Sequence, residues 1–376
     1  MATIRRRRRL VDSLREDGAL SDPTWAQAFR AVPRQLFLPR FFVADGDRWA
    51  AVRAGDDGWL DHVYRDRVLV TQLDDSPELW EAARVNGPVT GVPTCSSSMP
   101  SIMAIMLEEL RVRDGDRVLE IGTGTGYNAA LLCARLGDAN VSTVDIDPAL
   151  ASSARAALHA AGYHPACQAA DGALGMPEEA PFDRVLCTCA VSPIPPAWLA
   201  QTRPGGLVVT TLHRPIGAGL VRIVAGQGAC GEGRVLARDG RFMPMRAHRK
   251  PGPDAVLAAR EDGERTARTT DLPVSEVTDP SSPFEFFAGL ALTGVTPRHG
   301  ADAVTFTHPD GSWATRTGNT VEQGGPRRLW DDAERARDEW KALGKPTRRR
   351  FGVTVTPQRQ SFWLDRPDGP SWPLDG

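Results

Sequence analysis

The sequence predicts an α/β fold built on a mostly parallel sheet, and three observations predict it. Residues 118–132, VLEIGTGTGYNAALL, run from an apolar stretch into a glycine-rich turn and then an alanine- and leucine-rich helix. NVSTVDID reads as a second strand, Val141 to Val144, ending on Asp145 at the spacing of a strand–helix–strand unit. Further strand patterns follow in order: CQAADG with Asp171 and Gly172 at its end, FDRVLCTCAV (182–191), and RPGGLVVTTL (203–212). Strands that alternate with helical patterns build parallel sheets.

Residues 10–42 carry helical signals: Leu10 and Leu14, then Trp25, Phe29 and Val32, with Asp22 and Pro23 as a helix start. Residues 43–93 are rich in Gly, Asp and Pro and are expected to be irregular, with a short strand at Val68–Leu73. A weakly structured insert of that length is often functional. SIMAIMLEEL (101–110) places Ile102, Ile105, Met106 and Leu110 on one side of a helix. After the core, 219–246 read as additional strands with glycine turns, an antiparallel edge to the sheet. HRKPGPD (248–254) and the charged run to Asp271 read as a linker.

From about residue 272 a second module begins, with a hairpin around Pro309-Asp310-Gly311, an amphipathic helix over 329–344 and a strand pair over 350–365. The predicted division is an N-terminal helical segment with insert (1–93), a catalytic core (94–246), a linker (247–271) and a smaller α+β module (272–376). Trp313, Trp330, Trp340, Trp363 and Trp372 fall in that module. Core packing is the plainer reading of them and substrate contact the sharper one.

A formal net charge of −2 on 376 residues gives no global pull toward nucleic acid or acidic membranes. No stretch has the apolar length of a membrane span. The start, MATIRRRRRLVDSL, lacks the apolar core of a secretory signal, and Arg5 to Arg9 read as a solvated helix face. The six cysteines fit no zinc pattern and read as reduced thiols of a cytoplasmic protein; no metal site is expected.

Gly122, Gly124 and Gly126 allow a sharp turn and close approach to a ligand. They place a helix N-terminus against it. Glu120, just before the first glycine, repels a phosphate and suits a cationic or zwitterionic ligand, the pattern of an S-adenosyl-L-methionine pocket. A dinucleotide is the rival, and Asp145 suits the ribose hydroxyls of either. Asp171 and Gly172 stand where an adenine amino group is bound.

TCSSSMPSIMAIMLEEL followed by GDRVLEIGTGTGYNAALL resembles the protein-L-isoaspartate O-methyltransferase family, as do AVPRQLF (31–37) and DGALGMPEEAPFDRVLCTCAVSPIPPAWLAQTRPGGLVV. The resemblance covers roughly residues 20–246. It implies a Rossmann-like class I methyltransferase core, with S-adenosyl-L-methionine as donor and S-adenosyl-L-homocysteine as product. Its implied cofactor contacts are Gly122, Thr123, Gly124, Gly126, Asp145, Asp171 and Gly172. Ser96 matches the serine beside the substrate carboxylate, with Thr94, Cys95 and Ser97 on the same segment. Met243 and Met245 resemble, more loosely, a late strand that touches the substrate backbone.

The chain departs from the family pattern. Cys95 stands for its isoleucine, Ser98 for its proline and Met99 for its histidine, while residues 71–93 form an insert and 247–376 extend past the usual end of the repair enzymes. The insert and the extension resemble those of divergent homologues from peptide natural-product pathways, and TCSSSMPS with GSWA, GGPRRLWDDAE and RFGVTVTP resembles those that act after an ATP-grasp ligase on crosslinked ribosomal peptides (graspetides). Such homologues methylate an aspartate, and the ester closes to an aspartimide. Lanthipeptide modification and isoaspartate repair are the alternatives. A carboxylate, with a pKa of about 4, needs no strong base. Hydroxyls at Thr94, Ser96 and Ser97 can orient it, so Ser96 is expected to position substrate rather than act as a nucleophile. A plain helix-entry loop is the competing reading of the serine run, and Ser98 is expected to act as N-cap before Pro100.

Overall fold

The computed structural model describes residues 2–246, 249 and 264–374. The chain divides into two compact units. The first holds Met1–Cys189, Pro195–Thr210 and Val224–Ala229; the second holds Ala190–Ile194, Thr211–Ile223 and Cys230–Gly376.

The first unit opens with helices α1 (Ala2–Glu16) and α2 (Pro23–Ala31). Asp22 caps α2 as its spacing predicts: Oδ1 accepts the Thr24 N–H at 2.7 Å and the Trp25 N–H at 3.3 Å. Strands β1 (Arg40–Asp45), β2 (Arg48–Arg53), β3 (Leu69–Leu73) and β4 (Pro93–Ser97) follow, with helices α3 (Trp59–Val63) and α4 (Glu78–Asn86) between them. Residues 43–93, expected to be irregular, instead complete an antiparallel sheet of order β2-β1-β3-β4. Glycines and aspartates at the turns mask its apolar face. Phe42, Val70, Leu73, Trp80 and Ala83 form one buried cluster, with Trp49 and Val89 packed against it.

Helix α5 (Pro100–Glu109) is entered directly from β4. Met99, not Ser98, is its N-cap residue and supplies no side-chain bond. Asp66, remote in sequence, accepts the Ser101 N–H at 2.8 Å, so the orphan donor is met from outside the segment. The core then alternates: β5 (Val118–Ile121), α6 (Tyr127–Leu136), β6 (Val141–Asp145), α7 (Pro148–Ala160), β7 (Ala166–Ala169), β8 (Phe182–Val191), α8 (Pro196–Ala200) and β9 (Thr202–Leu212). The strand order is β9-β8-β5-β6-β7, and β5 runs parallel to both β6 and β8. Parallel strands bring their C-terminal ends to one edge, which gathers the glycine turn and Asp145.

The second unit carries β10 (Gly219–Ala225), β11 (Gly231–Val235), β12 (Arg265–Thr269), β13 (Thr296–His299), β14 (Ala303–Thr307), β15 (Trp313–Thr317), β16 (Thr320–Gly324), β17 (Phe351–Val355), β18 (Gln360–Leu364) and β19 (Ser371–Pro373). One set has the order β10-β11-β17-β18-β19 and the other β12-β16-β15-β14-β13. Two predicted boundaries change. β11 pairs antiparallel with β17, Gly231 opposite Val355, so the residues ahead of 246 share backbone hydrogen bonds with the C-terminal strands. Arg265–Thr269 is a strand paired with β16 rather than linker; most of the remaining predicted linker lies outside the described residues. Trp313, Trp330, Trp340 and Trp363 are buried core residues, and Trp372 lies edge-on to Phe287.

A fully buried carboxylate ties this unit together. Glu285 Oε1 accepts the Gly217 N–H and the Arg241 guanidinium, both within 2.7 Å, and Oε2 accepts from Arg348 at 3.3 Å. Asp239 pairs with the same two arginines. Removing one member of such a set leaves buried charge uncompensated. Glu285→Ala is expected to destabilise the second unit by about 3 kcal/mol, and Glu285→Gln by less. Calorimetric unfolding of the two variants checks this.

Candidate active site

The turn 122–126 joins β5 to α6, and its three glycines have φ of +92°, +53° and +83°. A Cβ at Gly122 would lie 2.8 Å from Cys189 Sγ and 2.9 Å from Thr188 Oγ1, so no side chain fits there. A Cβ at Gly124 would lie 3.7 Å from the Ser96 carbonyl oxygen and 3.8 Å from Cys95 Sγ. The bare backbone of the turn therefore runs between β4 on one side and the end of β8 on the other.

Asp145, at the end of β6, holds the turn. Its Oδ2 accepts the Gly124 N–H at 2.9 Å and its Oδ1 accepts the Asp147 N–H at 3.0 Å. Asp147 in turn caps α7 through the Ala149 and Leu150 N–H groups. Asp171 accepts the Ala173 N–H at 2.9 Å, and the Gly172 carbonyl takes the Trp198 indole N–H at 2.8 Å.

Glu120 differs from the sequence expectation of an acid facing the ligand. It has no exposed surface; Oε1 accepts from Asn128 Nδ2 and Oε2 from Thr143 Oγ1, each at 2.7 Å. Thr143 also bonds the buried Thr123 hydroxyl at 2.7 Å. Glu120 thus braces the turn from behind. Burial pushes its carboxyl up to about 7 against the opposing pull of the Thr143 and Asn128 bonds.

The serine run lies on a strand, and strand alternation sorts it. Cys95 and Ser97 are buried, while Thr94 and Ser96 are half-buried on the other face. Cys95 and Ser97, expected to touch substrate, are both buried, with Cys95 Sγ 3.8 Å from where a Gly124 Cβ would stand. Burial pushes the Cys95 thiol up to about 11, so it stays neutral at physiological pH. The Ser97 hydroxyl accepts from Arg34 Nη2 at 3.3 Å. Thr94 donates to Gln72 Oε1 and accepts the Asp75 N–H, both at 3.0 Å, which commits its one hydroxyl hydrogen. Ser96 has no side-chain bond among the described residues.

Arg34, which the residue pattern did not single out, holds this strand in place. Its guanidinium is fully buried over the Tyr127 ring and donates to the carbonyls of Val63, Arg65, Arg67 and Ser98, and to Ser97 Oγ. Burial lowers its pKa to about 10, which leaves it charged at neutral pH. Met243 and Met245 belong to the second unit. There the Met243 carbonyl accepts the Ala190 N–H at 2.9 Å and the Met245 N–H donates to the Ala190 carbonyl at 3.0 Å. Met245 is itself buried.

The turn fits a sulfonium cofactor better than a pyrophosphate. Residues 118–132 contain no Lys or Arg, whereas Glu120, Asp145 and Asp147 gather around the turn. Two apolar side chains that the sequence reading missed, Ile146 (43 % exposed) and Leu174 (65 % exposed), follow the two strand-end acids. Exposed apolar side chains at such positions would hold the faces of an adenine. Among the described residues no group of His, Cys, Asp and Glu is arranged to hold a metal ion, and no helix is long and apolar enough to cross a membrane.

Residues 76–225 match the family model described as Protein-L-isoaspartate(D-aspartate) O-methyltransferase (PCMT). The chain is 35% identical over 217 residues to the protein-L-isoaspartate O-methyltransferase of Methylorubrum extorquens, which covers 58% of this chain and 78% of the relative. To that of Anaeromyxobacter dehalogenans (strain 2CP-1) it is 44% identical over 178 residues, 44% of this chain and 83% of the relative. A solved structure of a protein-L-isoaspartate O-methyltransferase superposes with a TM-score of 0.54 at 20% identity, covering 96% of this chain and all of that one.

The raised carboxyl of Glu120 has a consequence for stability. The folded chain keeps a proton that the unfolded chain releases near 4.5, so the stability this gives is complete below about 4.5 and is lost as pH rises through about 7. Glu120→Gln is expected to flatten that loss. Thermal melts of both proteins across this window check it.

Proposed function

The chain belongs to the protein-L-isoaspartate O-methyltransferase family and is an S-adenosyl-L-methionine-dependent carboxyl methyltransferase; we propose that it esterifies an aspartate side chain of a crosslinked ribosomal peptide. The observation that carries the assignment of the acceptor position is Ser96. It is the one hydroxyl of residues 94–97 that has no protein partner among the described residues, on a strand whose carbonyl lies against Gly124.

When bound, the cofactor supplies an electrophilic methyl on a sulfonium. The backbone of the turn at Gly122, Gly124 and Gly126 would meet its amino-acid end, Asp145 would take its ribose hydroxyls, and Ile146, Leu174, Asp171 and Gly172 would hold its adenine. Ser96 donates one hydrogen bond to the acceptor carboxylate and orients it. A single neutral donor suits this reaction, because charge is lost as the methyl is transferred and a strong cationic donor would favour the ground state. Arg34 keeps its charge away from the carboxylate by spending it on carbonyls behind β4.

The ester product can close without further help. The next backbone nitrogen bonds to the ester carbonyl carbon, the C–O bond to methoxide breaks, and the amide proton leaves with it as methanol, giving an aspartimide. The crosslinked substrate is supported by the departures at Cys95, Ser98 and Met99 on the acceptor segment and by the ordering cost that a pre-constrained peptide avoids. In this reading an ATP-grasp ligase acts before this enzyme. The C-terminal extension lends no separate weight, since a solved fold of the repair family spans 96% of this chain. The names of the family model and of the relatives favour a second reading, methylation of isoaspartyl carboxylates for repair.

Mass spectrometry with S-adenosyl-L-methionine separates the two readings. A crosslinked aspartyl peptide is expected to gain a methyl and then show net loss of water, with its linear form a poor substrate. Turnover of an isoaspartyl peptide alone would establish repair instead. Ser96→Ala is expected to lower kcat about tenfold with little change in KM for the cofactor. Methyl-transfer kinetics check this, and unchanged kcat would remove Ser96 from the site.

A further inference from the structure

Gln72 lies on β3 where the register with β4 slips. It is opposite Cys95, with irregular steps on both sides, and its side chain is buried. Its Nε2 donates to Asp147 Oδ2 at 3.3 Å and its Oε1 accepts from Thr94 Oγ1 at 3.0 Å. Chemistry dictates this orientation. An ionised carboxylate only accepts, so the amide nitrogen faces Asp147 and the oxygen is left for the hydroxyl. Thr94 then accepts the N–H of Asp75, which sits beside Asp74 in a turn where both have positive φ.

On the other side, Asp147 N–H meets Asp145 Oδ1, and Asp145 Oδ2 takes the N–H of Gly124. An unbroken run of bonds therefore links the turn at 74–75, the acceptor strand and the glycine turn, and Gln72 joins its two halves. Both ends of the amide are used, so neither strand end can shift without breaking a buried bond.

We propose that Gln72 is a positioning residue that couples the acceptor strand to the cofactor-side acids, so that a ligand on Asp145 and the glycine turn is felt at Thr94 and Asp75. This rests on the assignment of that turn to the cofactor. The turn at 74–75 thereby gains a defined role, since the Asp75 N–H holds the Thr94 hydroxyl at the far end of this run.

Gln72→Met keeps the side chain's length and removes both bonds. Hydrogen exchange with S-adenosyl-L-homocysteine as the probe reads the coupling without any peptide. In the wild type, binding is expected to slow amide exchange over 73–77 about threefold or more. In Gln72→Met that slowing is lost while slowing over 122–126 persists. Thr94→Val, which cuts the run at its far end, is expected to lose the 73–77 response too and serves if Gln72→Met does not fold. Equal slowing over 73–77 in variant and wild type, or none in the wild type while 122–126 is protected, would overturn the proposal. No protection over 122–126 in the wild type would overturn the cofactor assignment, and the coupling with it.

Discussion

The site depends on a glycine turn whose first residue has no room for a side chain and whose three glycines all have positive φ. Gly122 has Cys189 and Thr188 against the place where a Cβ would stand, and Gly124 has the Ser96 carbonyl in front of it. Such a turn offers main-chain atoms to a ligand, beside groups delivered by neighbouring strand ends. The parallel order β8-β5-β6 delivers them, because each strand ends at the same edge.

Charge around that backbone is arranged in layers. Glu120 sits behind the turn, its carboxyl pushed up by burial to about 7, and steadies Thr123 through Thr143. Asp145 faces the turn and fixes Gly124. Arg34 is buried behind β4, where its two Nη groups donate to carbonyls and a serine hydroxyl. A carboxylate that reaches Ser96 would therefore meet a hydroxyl rather than a guanidinium, which keeps it nucleophilic.

Much of this was legible in the sequence, and the failures have physical causes. The glycine turn, Asp145 and the strand at 182–191 follow from local pattern, and the structure forms β8 over Phe182–Val191. The sheet over 43–93 was not legible, because its apolar face is assembled from Phe42, Val70, Leu73 and Trp80 across three elements. Ser98 looked like a cap, but Asp66 does that work from far away in sequence. Serine-run members looked equivalent, and only the strand's alternation buried Cys95 and Ser97 and left Ser96 half-buried. Arg34 and Gln72 carry no motif; a single polar residue on an apolar stretch shows its role only once its partners are in place.

The central claim is that this turn takes a sulfonium nucleoside, which a direct calorimetric titration of the purified chain tests. The account predicts saturable, one-to-one uptake of S-adenosyl-L-homocysteine and no measurable uptake of a nicotinamide dinucleotide. Binding of the dinucleotide with none of S-adenosyl-L-homocysteine would contradict it.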